Sequence, residues 1–487
     1  MTEMVLVNPH IFPYDFRGQG EWNSNRALNY GLLSIATYLY KKGIQVDILD
    51  LQGEREPLAK LENYLQKENP RFVGIGCVSA LSYLPTLEIA KYVKDMDPGI
   101  CVGVGGQHTR FIIEEVFKES DNSIDIVATG EGEETVRQIY SWLKGDINLS
   151  DVGGIAVKRD NRTVITPSNK PVDYSEISPI EYSLYPDYKD FFPLIEDSRG
   201  CPYRCNFCSN ENVFGARIRL KDPDIVVKEI HKIAELYGTK SLPLIFYNSI
   251  FGVNPKIAKE IITKIRKSGL DIRFLTSTRV DSGWKMYVDD LEGLCDQMHF
   301  GLESASPEIL LRMDKTRDPE RYISSAKDAV REFHKRGVHV ALNILTGFCG
   351  ENEKTLKETE NFLEENKDYI DSIRSHPLML FPGSPFLQRM KEFEENFGSR
   401  ISRNKYSDRI HAYPVDATSN FTFEDAIDYG KELMQRFNSF EKFYGYYKWL
   451  VGPVQISNGI GFLKEQEFMK LLKDIDPSKF DFGKGFK

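Results

Sequence analysis

The chain has 487 residues, 41% of them hydrophobic and 28% charged, with a formal net charge of −9. That length accommodates two or three domains with cores of their own, and no apolar run approaches the roughly 18 residues that would cross a bilayer. An acidic balance without a basic stripe argues against nucleic acid as the primary partner. Seven cysteines, an odd number, suit a reducing, cytoplasmic setting better than a disulfide framework.

The first residues, "MTEMVLVNPH", carry no basic segment ahead of their apolar run and read as a buried strand, not a leader. Strand-like runs follow at 4–9 (MVLVNP), 45–50 (QVDILD), 72–80 (FVGIGCVSA), 101–106 (CVGVGG) and 125–130 (DIVATG). Between them lie stretches of helical period, among them 27–43, closed by a glycine, and 84–96. Such alternation predicts parallel βαβ units in a doubly wound, Rossmann-like sheet over 1–145. Ligands of that architecture bind beyond the carboxyl ends of the strands, which here are rich in glycine and small polar residues: "GCVSA", "GGQHT" and "TGEGEET". A polar stretch at 146–193, containing "GGIAVKRDNRTV", reads as a small hairpin and linker.

A second series predicts strands at 194–198, 242–248, 272–278, 297–304, 338–347 and 373–380, with helices at 255–268, 319–336 and 353–366. Six βα units over 194–392 fit an open, partial (β/α)6 barrel, with its functional groups at the strand C-termini. Residues 393–487 read as a small, mostly helical, aromatic-rich C-terminal domain, densest at "FEKFYGYYKWLVGP" (440–453), expected to close the barrel mouth.

Three cysteines, Cys201, Cys205 and Cys208, lie within "SRGCPYRCNFCSN" (198–210), directly after a predicted strand. Thiolates are soft ligands for zinc or for iron–sulfur clusters. Structural zinc normally takes a fourth Cys or His, and none is evident nearby, since Cys77, Cys101 and Cys295 fall in or beside other strands. A cubane cluster held by three cysteines leaves one iron open.

The C-x3-C-x2-C spacing, with Phe207 just before the third cysteine, is similar to the signature of radical S-adenosylmethionine (SAM) enzymes. The resemblance implies a 4Fe-4S cluster on Cys201, Cys205 and Cys208. Its open iron would chelate SAM, and electron transfer would yield a 5′-deoxyadenosyl radical. "FGLES" (300–304) resembles the fourth-strand segment whose carboxylate, here Glu303, accepts from the SAM ribose hydroxyls. Tyr247 and Asn248 in "IFYN" stand where many relatives carry acidic residues near the SAM amino group. Arg279 in "TSTRVD" is a further SAM candidate, as is Phe207. "TGFCGEN" (346–352) resembles a fifth-strand G-F-P-G-E-T loop with Cys349 replacing proline, and "LFPGSPF" (380–386) the end of the sixth strand near the adenine.

The preceding domain resembles the cobalamin-binding class of these enzymes. Its implied contacts are Gly105, Gly106, Gln107 and His108 in one loop and Gly130, Glu131, Gly132 and Glu133 in the next. The D-x-H-x-x-G motif that supplies a cobalt-ligating histidine elsewhere is absent. Instead the "SALSY" loop (79–83) would cap the lower face, with Ser79, Leu81 and Tyr83 as candidates.

Cys349 is the remaining catalytic candidate: a thiol there is able to give up a hydrogen atom or bind a metal, while the plain alternative is a small buried hydrophobe. The expected function is a cobalamin-dependent radical SAM enzyme that methylates an unactivated carbon of a small-molecule or natural-product substrate, served by a low-potential flavodoxin or ferredoxin. Neither nucleic acid nor membrane is expected as a partner. The alternatives are oxidation, ring rearrangement or cyclisation without methyl transfer, with or without cobalamin. A zinc-stabilised binding module is the non-enzymatic reading.

Overall fold

The computed structural model describes residues 2–11, 26–160, 162–210, 215 and 217–438, and the backbone of 454–456 and 459–461. The chain divides into two compact units, one of Met1–Tyr188 with Phe381–Gly383 and Arg403–Ala412, the other of Lys189–Leu380, Ser384–Ser402 and Tyr413–Lys487.

In the first unit β1 (Met4–Asn8), β2 (Asp47–Asp50), β3 (Phe72–Gly76), β4 (Cys101–Gly105) and β5 (Ile126–Ala128) run parallel in the order β2-β1-β3-β4-β5. All five residues of β1 and of β3 are buried, as befits strands covered on both faces. Packing across the centre of the sheet relies on size complementarity. The Phe72 ring lies over Gly74 and Gly103, where an added Cβ would approach within 2.9 and 2.8 Å. The hairpin β6 (Ile155–Arg159) and β7 (Arg162–Ile165) was expected as part of a linker. It extends this sheet instead, with β6 antiparallel to β5. Its sequence shows a hairpin but not which edge it joins.

In the second unit β8 (Leu194–Ile195) leads to a short antiparallel pair, β9 (Ser198–Arg199) and β10 (Arg219–Leu220), that brackets the cysteine loop. β11 (Ser241–Phe246), β12 (Asp271–Arg279), β13 (Cys295–Glu303), β14 (His339–Thr346) and β15 (Ser372–Pro377) complete an all-parallel, six-stranded sheet in the order β15-β14-β13-β12-β11-β8. The crossover helices Pro223–Tyr237, Pro255–Lys267, Pro319–Lys335 and Glu353–Asn366 begin behind Asp222, Asn254, Asp318 and Asn352, each accepting a backbone N–H, and three of them carry proline in the first turn. Such caps contribute about 1 kcal/mol each and fix where a helix starts. The helix-facing side of the sheet is aromatic: Phe300 meets Phe333 edge-on at 5.0 Å, and Phe274 meets Phe246 at 5.0 Å.

Two strands expected as continuous are broken. Residues 194–198 divide between β8 and β9, and 373–380 between β15 and β16 (Met379–Leu380). β16 joins β18 (Tyr413–Asp416), which also pairs with β17 (Arg400–Ile401). The described C-terminal part has helices at Phe386–Phe397 and Phe423–Phe437. The aromatic stretch 440–453 lies outside the described residues.

Candidate functional site

The cysteine loop is pinned at Asn206. Its N–H donates to the Met313 carbonyl (3.0 Å), its carbonyl accepts from Phe386 N–H (3.0 Å) and Ser384 Oγ (2.9 Å), and its Nδ2 donates to the Arg312 carbonyl (2.5 Å). A side chain 2% exposed thus orients the half-buried thiols on either side of it. Burial pushes the Cys208 thiol up to about 11, and the neighbouring Cys205 and Cys201 push the same way. Cys201 is also raised, by burial first. Three thiols that oppose one another's ionisation need a cationic centre to become thiolates. Among the described residues no three His, Cys, Asp or Glu side chains close around a single-ion position. Three soft thiolates on one loop suit an iron–sulfur cluster, which takes each on a separate iron.

Arg279, at the end of β12, ties this loop to the barrel. Its guanidinium donates to Cys205 Sγ (3.6 Å), to both Asp281 oxygens (2.8 and 3.0 Å) and to the Lys315 carbonyl (2.7 Å), and it stacks 3.8 Å from the Tyr203 ring centroid. Lys315, 6% exposed, donates through Nζ to Glu303 Oε1 (3.0 Å) and lies 5.8 Å from the Phe207 ring centroid. Glu303 holds φ +67 at a register shift where β13 ends, a backbone state that costs about 1–3 kcal/mol and collects at functional sites. Gly301 makes room for it: an added Cβ would come within 2.6 Å of Glu303 Oε1.

Asn248 donates to Asp197 Oδ1 (2.5 Å), while its own Oδ1 is buried without a partner. Burial raises the Asp197 carboxyl, opposed by the Asn248 bond. Tyr247 is 50% exposed. Cys349 lies elsewhere: fully buried, it packs with Ile309, Met313, Phe348 and Leu378, and desolvation pushes its thiol up to about 12. Its surroundings match the small-hydrophobe alternative. Asn206, Asp197, Lys315 and Tyr203 were missed by sequence reading. Tyr203 and Asn206 are spacer residues inside the C-x3-C-x2-C segment, Asp197 lies in no marked spacing, and Lys315 acquires its place only when the chain after β13 turns back.

In the first unit, the strand order reverses between β1 and β3, the switch point where ligands of such sheets bind. Gly105, Gly106 and Gln107 at the end of β4 and Gly130, Glu131 and Gly132 beyond β5 form neighbouring half-exposed ends. Gly106 has φ +123, and a Cβ there would strike the Cys77 carbonyl oxygen at 2.2 Å. Beside them Val78 is 49% exposed, Leu81 is half-buried, and Ser79 forms a capping box with Ser82. A glycine ledge with exposed aliphatic side chains suits a flat, apolar ligand face such as a corrin.

Three candidates point away from this ledge. Tyr83, 0% exposed, donates to Glu119 Oε2 (2.8 Å) and packs edge-on against His108 and His411. His108 is 4% exposed within that cluster, and burial pushes its imidazole down to about 4. Glu133, 3% exposed, accepts from Ser34 Oγ (2.7 Å). All three are spent on internal packing. Val78, which the sequence reading did not single out, takes the exposed position expected of the cap.

An open sheet of order 2-1-3-4-5, followed by a parallel partial barrel with a thiol loop near its strand ends, defines a two-module α/β enzyme. A family model described as B12 binding domain matches residues 25–140, and one described as Radical SAM superfamily matches residues 195–363. The chain is 30% identical over 362 residues to an uncharacterized methyltransferase of Pyrococcus horikoshii, covering 73% of this chain and 76% of that protein. It is 26% identical to the bacteriochlorophyllide d C-12(1)-methyltransferase of Chlorobaculum tepidum, over 51% of this chain and 50% of that protein. It is also 26% identical to an anaerobic magnesium-protoporphyrin IX monomethyl ester cyclase of Synechocystis sp., over 59% and 57%. The chain thus spans about half the length of those two relatives.

Two solved structures share the fold. The radical SAM methyltransferase TsrM of Kitasatospora setae, with cobalamin and a 4Fe-4S cluster bound, gives a TM-score of 0.72 at 16% identity, covering 91% of this chain and 90% of that one. OxsB, a cobalamin-dependent SAM radical enzyme with aqua-cobalamin and SAM bound, gives 0.72 at 17% identity, covering 88% and 66%. The protein belongs to the radical SAM enzymes that carry a B12-binding domain.

Proposed function

We propose that this protein is a cobalamin-dependent radical SAM methyltransferase acting on an unactivated carbon of a small-molecule substrate. In this reading Cys201, Cys205 and Cys208 hold the cluster, Glu303 holds the SAM ribose, and the Val78–Leu81 loop and the Gly105–Gln107 and Gly130–Gly132 ends hold the corrin. The observation that carries it is the chain of contacts from Cys205 through Arg279 and Lys315 to Glu303. When bound, the cluster supplies the electron that cleaves SAM, and cobalamin supplies a transferable methyl group.

The chain's own residues do the positioning. Arg279 and Lys315 set cationic charge beside sulfur-rich and carboxylate groups, which lowers the energy of gathering anions in a half-buried site. Lys315 fixes one Glu303 oxygen, so the carboxylate meets incoming hydroxyls in a single orientation. Asn248, anchored by Asp197, keeps a buried carbonyl oxygen without a partner, an acceptor of the type an ammonium donor needs. Electrons would come from a low-potential flavodoxin or ferredoxin.

A second reading, oxidation or cyclisation without methyl transfer, draws support from the cyclase relative. Anaerobic reconstitution with iron and sulfide, addition of cobalamin, desalting and incubation with methyl-labelled SAM and a reductant test both. Iron–sulfur absorption, retained corrin bands and label on the corrin are expected. Deoxyadenosine without label on the corrin would favour the second reading. Absence of both chromophores would overturn the assignment.

A further inference from the structure

The stretch "GGIAVKRDNRTV" (153–164) adds the β6–β7 hairpin to the sheet of the first unit, and the register shows which end of that sheet it serves. β6 runs antiparallel to β5, with Ile155 opposite Ala128, and β7 runs antiparallel to β6, with Ile165 opposite Ala156. The chain therefore enters β6 and leaves β7 at the end of the sheet where β4 and β5 finish. That end carries the glycine ledge, and residues 166–169 emerge there beside Gly130.

The emerging segment is tied down on both sides of Ser168. Gly154 N–H donates to the Pro167 carbonyl (2.8 Å), and Thr129 N–H, directly beyond β5, donates to the Gly154 carbonyl (2.8 Å). Asn169 Nδ2 donates to Thr135 Oγ1 (3.1 Å) and to the Gly153 carbonyl (3.0 Å), and its Oδ1 accepts from Gln138 Nε2 (3.1 Å). The glycine pair permits this close approach. An added Cβ on Gly153 would stand 2.3 Å from Asn169 Oδ1, and Gly154 holds φ +71.

Ser168 itself is exposed, and its hydroxyl has no hydrogen-bond partner among the described residues. Its neighbours on either side are spent on anchoring, so the hydroxyl is held in place without being used. Gly130 leaves the space in front of it open. An added Cβ on Gly130 would stand 3.9 Å from Ser168 Oγ, and a longer side chain directed the same way would cover it.

We infer that residues 166–169 form a further wall of the cobalamin site, and that Ser168 Oγ hydrogen-bonds a carboxamide on the rim of the corrin. A corrin carries amide arms around its edge, and a hydroxyl donates to an amide carbonyl or accepts from its N–H. Sheet order puts Val78, beyond β3, on one side of the ledge and the hairpin on the other, with β4 and β5 between them. At about 4.8 Å per strand, the ledge is wide enough to seat a macrocycle between the two. Apolar contact from Val78 and Leu81 holds a flat ring but does not fix its rotation, because such contact is non-directional. A hydrogen bond at the rim selects one orientation. This inference rests on the assignment of the ledge to the corrin.

The test is equilibrium dialysis of the full-length protein, its iron–sulfur cluster reconstituted, against hydroxocobalamin and separately against cobinamide, which keeps the corrin and its amides but lacks the nucleotide tail. Ser168→Ala is expected to weaken both ligands about fivefold, the value of one ordinary hydrogen bond. Ser168→Trp sets a large ring against the ledge and is expected to weaken both by ~20-fold or more. Melting temperatures should match the parent's, because the hydroxyl has no internal partner to lose. If the tryptophan variant fails that check, the alanine variant carries the test. Parent-like binding by Ser168→Ala overturns the hydrogen bond, and parent-like binding by a folded Ser168→Trp overturns the wall; in both cases the ledge reading stands. A loss confined to hydroxocobalamin, or no cobinamide binding at all, gives the contact to the nucleotide tail and overturns the corrin-rim assignment. No binding of hydroxocobalamin by the parent overturns the ledge reading and this proposal together. Dialysis reads occupancy and not turnover, so its outcome is separate from whether methyl transfer occurs.

Discussion

The Arg279 guanidinium donates to Cys205 Sγ at 3.6 Å while both oxygens of Asp281 hold it from behind. Hydrogen bonds to ligating sulfurs raise the reduction potential of an iron–sulfur centre, because they stabilise the extra electron. Arg279→Gln is expected to move the potential of the reconstituted cluster to more negative values, read in an EPR-monitored redox titration. Arg279→Lys should fall between the two. An unchanged potential would detach Arg279 from the cluster.

Cys201, Cys205 and Cys208 belong to one unit and the glycine ledge to the other. Substituting any one of the three by alanine is therefore expected to abolish iron–sulfur absorption and deoxyadenosine formation. Corrin retention after desalting should stay near the parent level. Corrin lost together with the cluster would mean that the two sites are not independent.

At the cap, Val78 and Leu81 are set against Tyr83. Val78→Asp or Leu81→Asp places a charge against an apolar ligand face and is expected to eliminate corrin retention. Tyr83→Phe removes only the hydrogen bond to Glu119. It should cost about 1 kcal/mol of stability, seen as a lowered melting temperature, with corrin retained.

Gly106 tests the ledge itself. At φ +123, with the Cys77 carbonyl oxygen 2.2 Å from any added Cβ, Gly106→Ala must bend the β3 exit loop or the β4 end. The backbone strain alone is about 1–3 kcal/mol. A lower melting temperature and weaker corrin retention are expected together, since the displaced segment carries Val78.

Glu351 makes stability depend on pH. It is 2% exposed, and burial pushes its carboxyl up to about 7, opposed by the Gly347 N–H at 2.6 Å. A carboxyl raised in the folded state stays protonated there after the unfolded chain has released its proton. Its contribution is full below the unfolded value near 4.5 and is lost as pH rises through 7. Glu351→Gln keeps an acceptor for Gly347 and removes the titration. The variant's advantage in denaturation midpoint should grow between pH 5 and pH 8, toward roughly 3 kcal/mol at 1.36 kcal/mol per unit. A constant difference would show that Glu351 ionises freely.

The sequence by itself determined what is local along the chain. Apolar runs of strand length gave the strands of both sheets, and helical periodicity gave the crossover helices at 255–268, 319–336 and 353–366. The cysteine trio was legible because its three ligands lie within eight residues. Glycine-rich strand ends marked the ledge for the same reason. Tertiary structure decided which side chains face a ligand and which serve packing. Tyr83, His108 and Glu133 occupy motif-like positions yet turn inward, because partners distant in sequence claim them. His411 reaches Glu119 across 292 residues, and Ser34 reaches Glu133 across 99. Arg279 likewise meets Cys205 across 74 residues. The β6–β7 hairpin found its place at the sheet edge by the same kind of long-range pairing. Periodicity reports the side of an element on which a residue lies. Only the closed fold reports which group stands opposite, since hydrogen bonds and charge pairing act across space, whatever the separation along the chain.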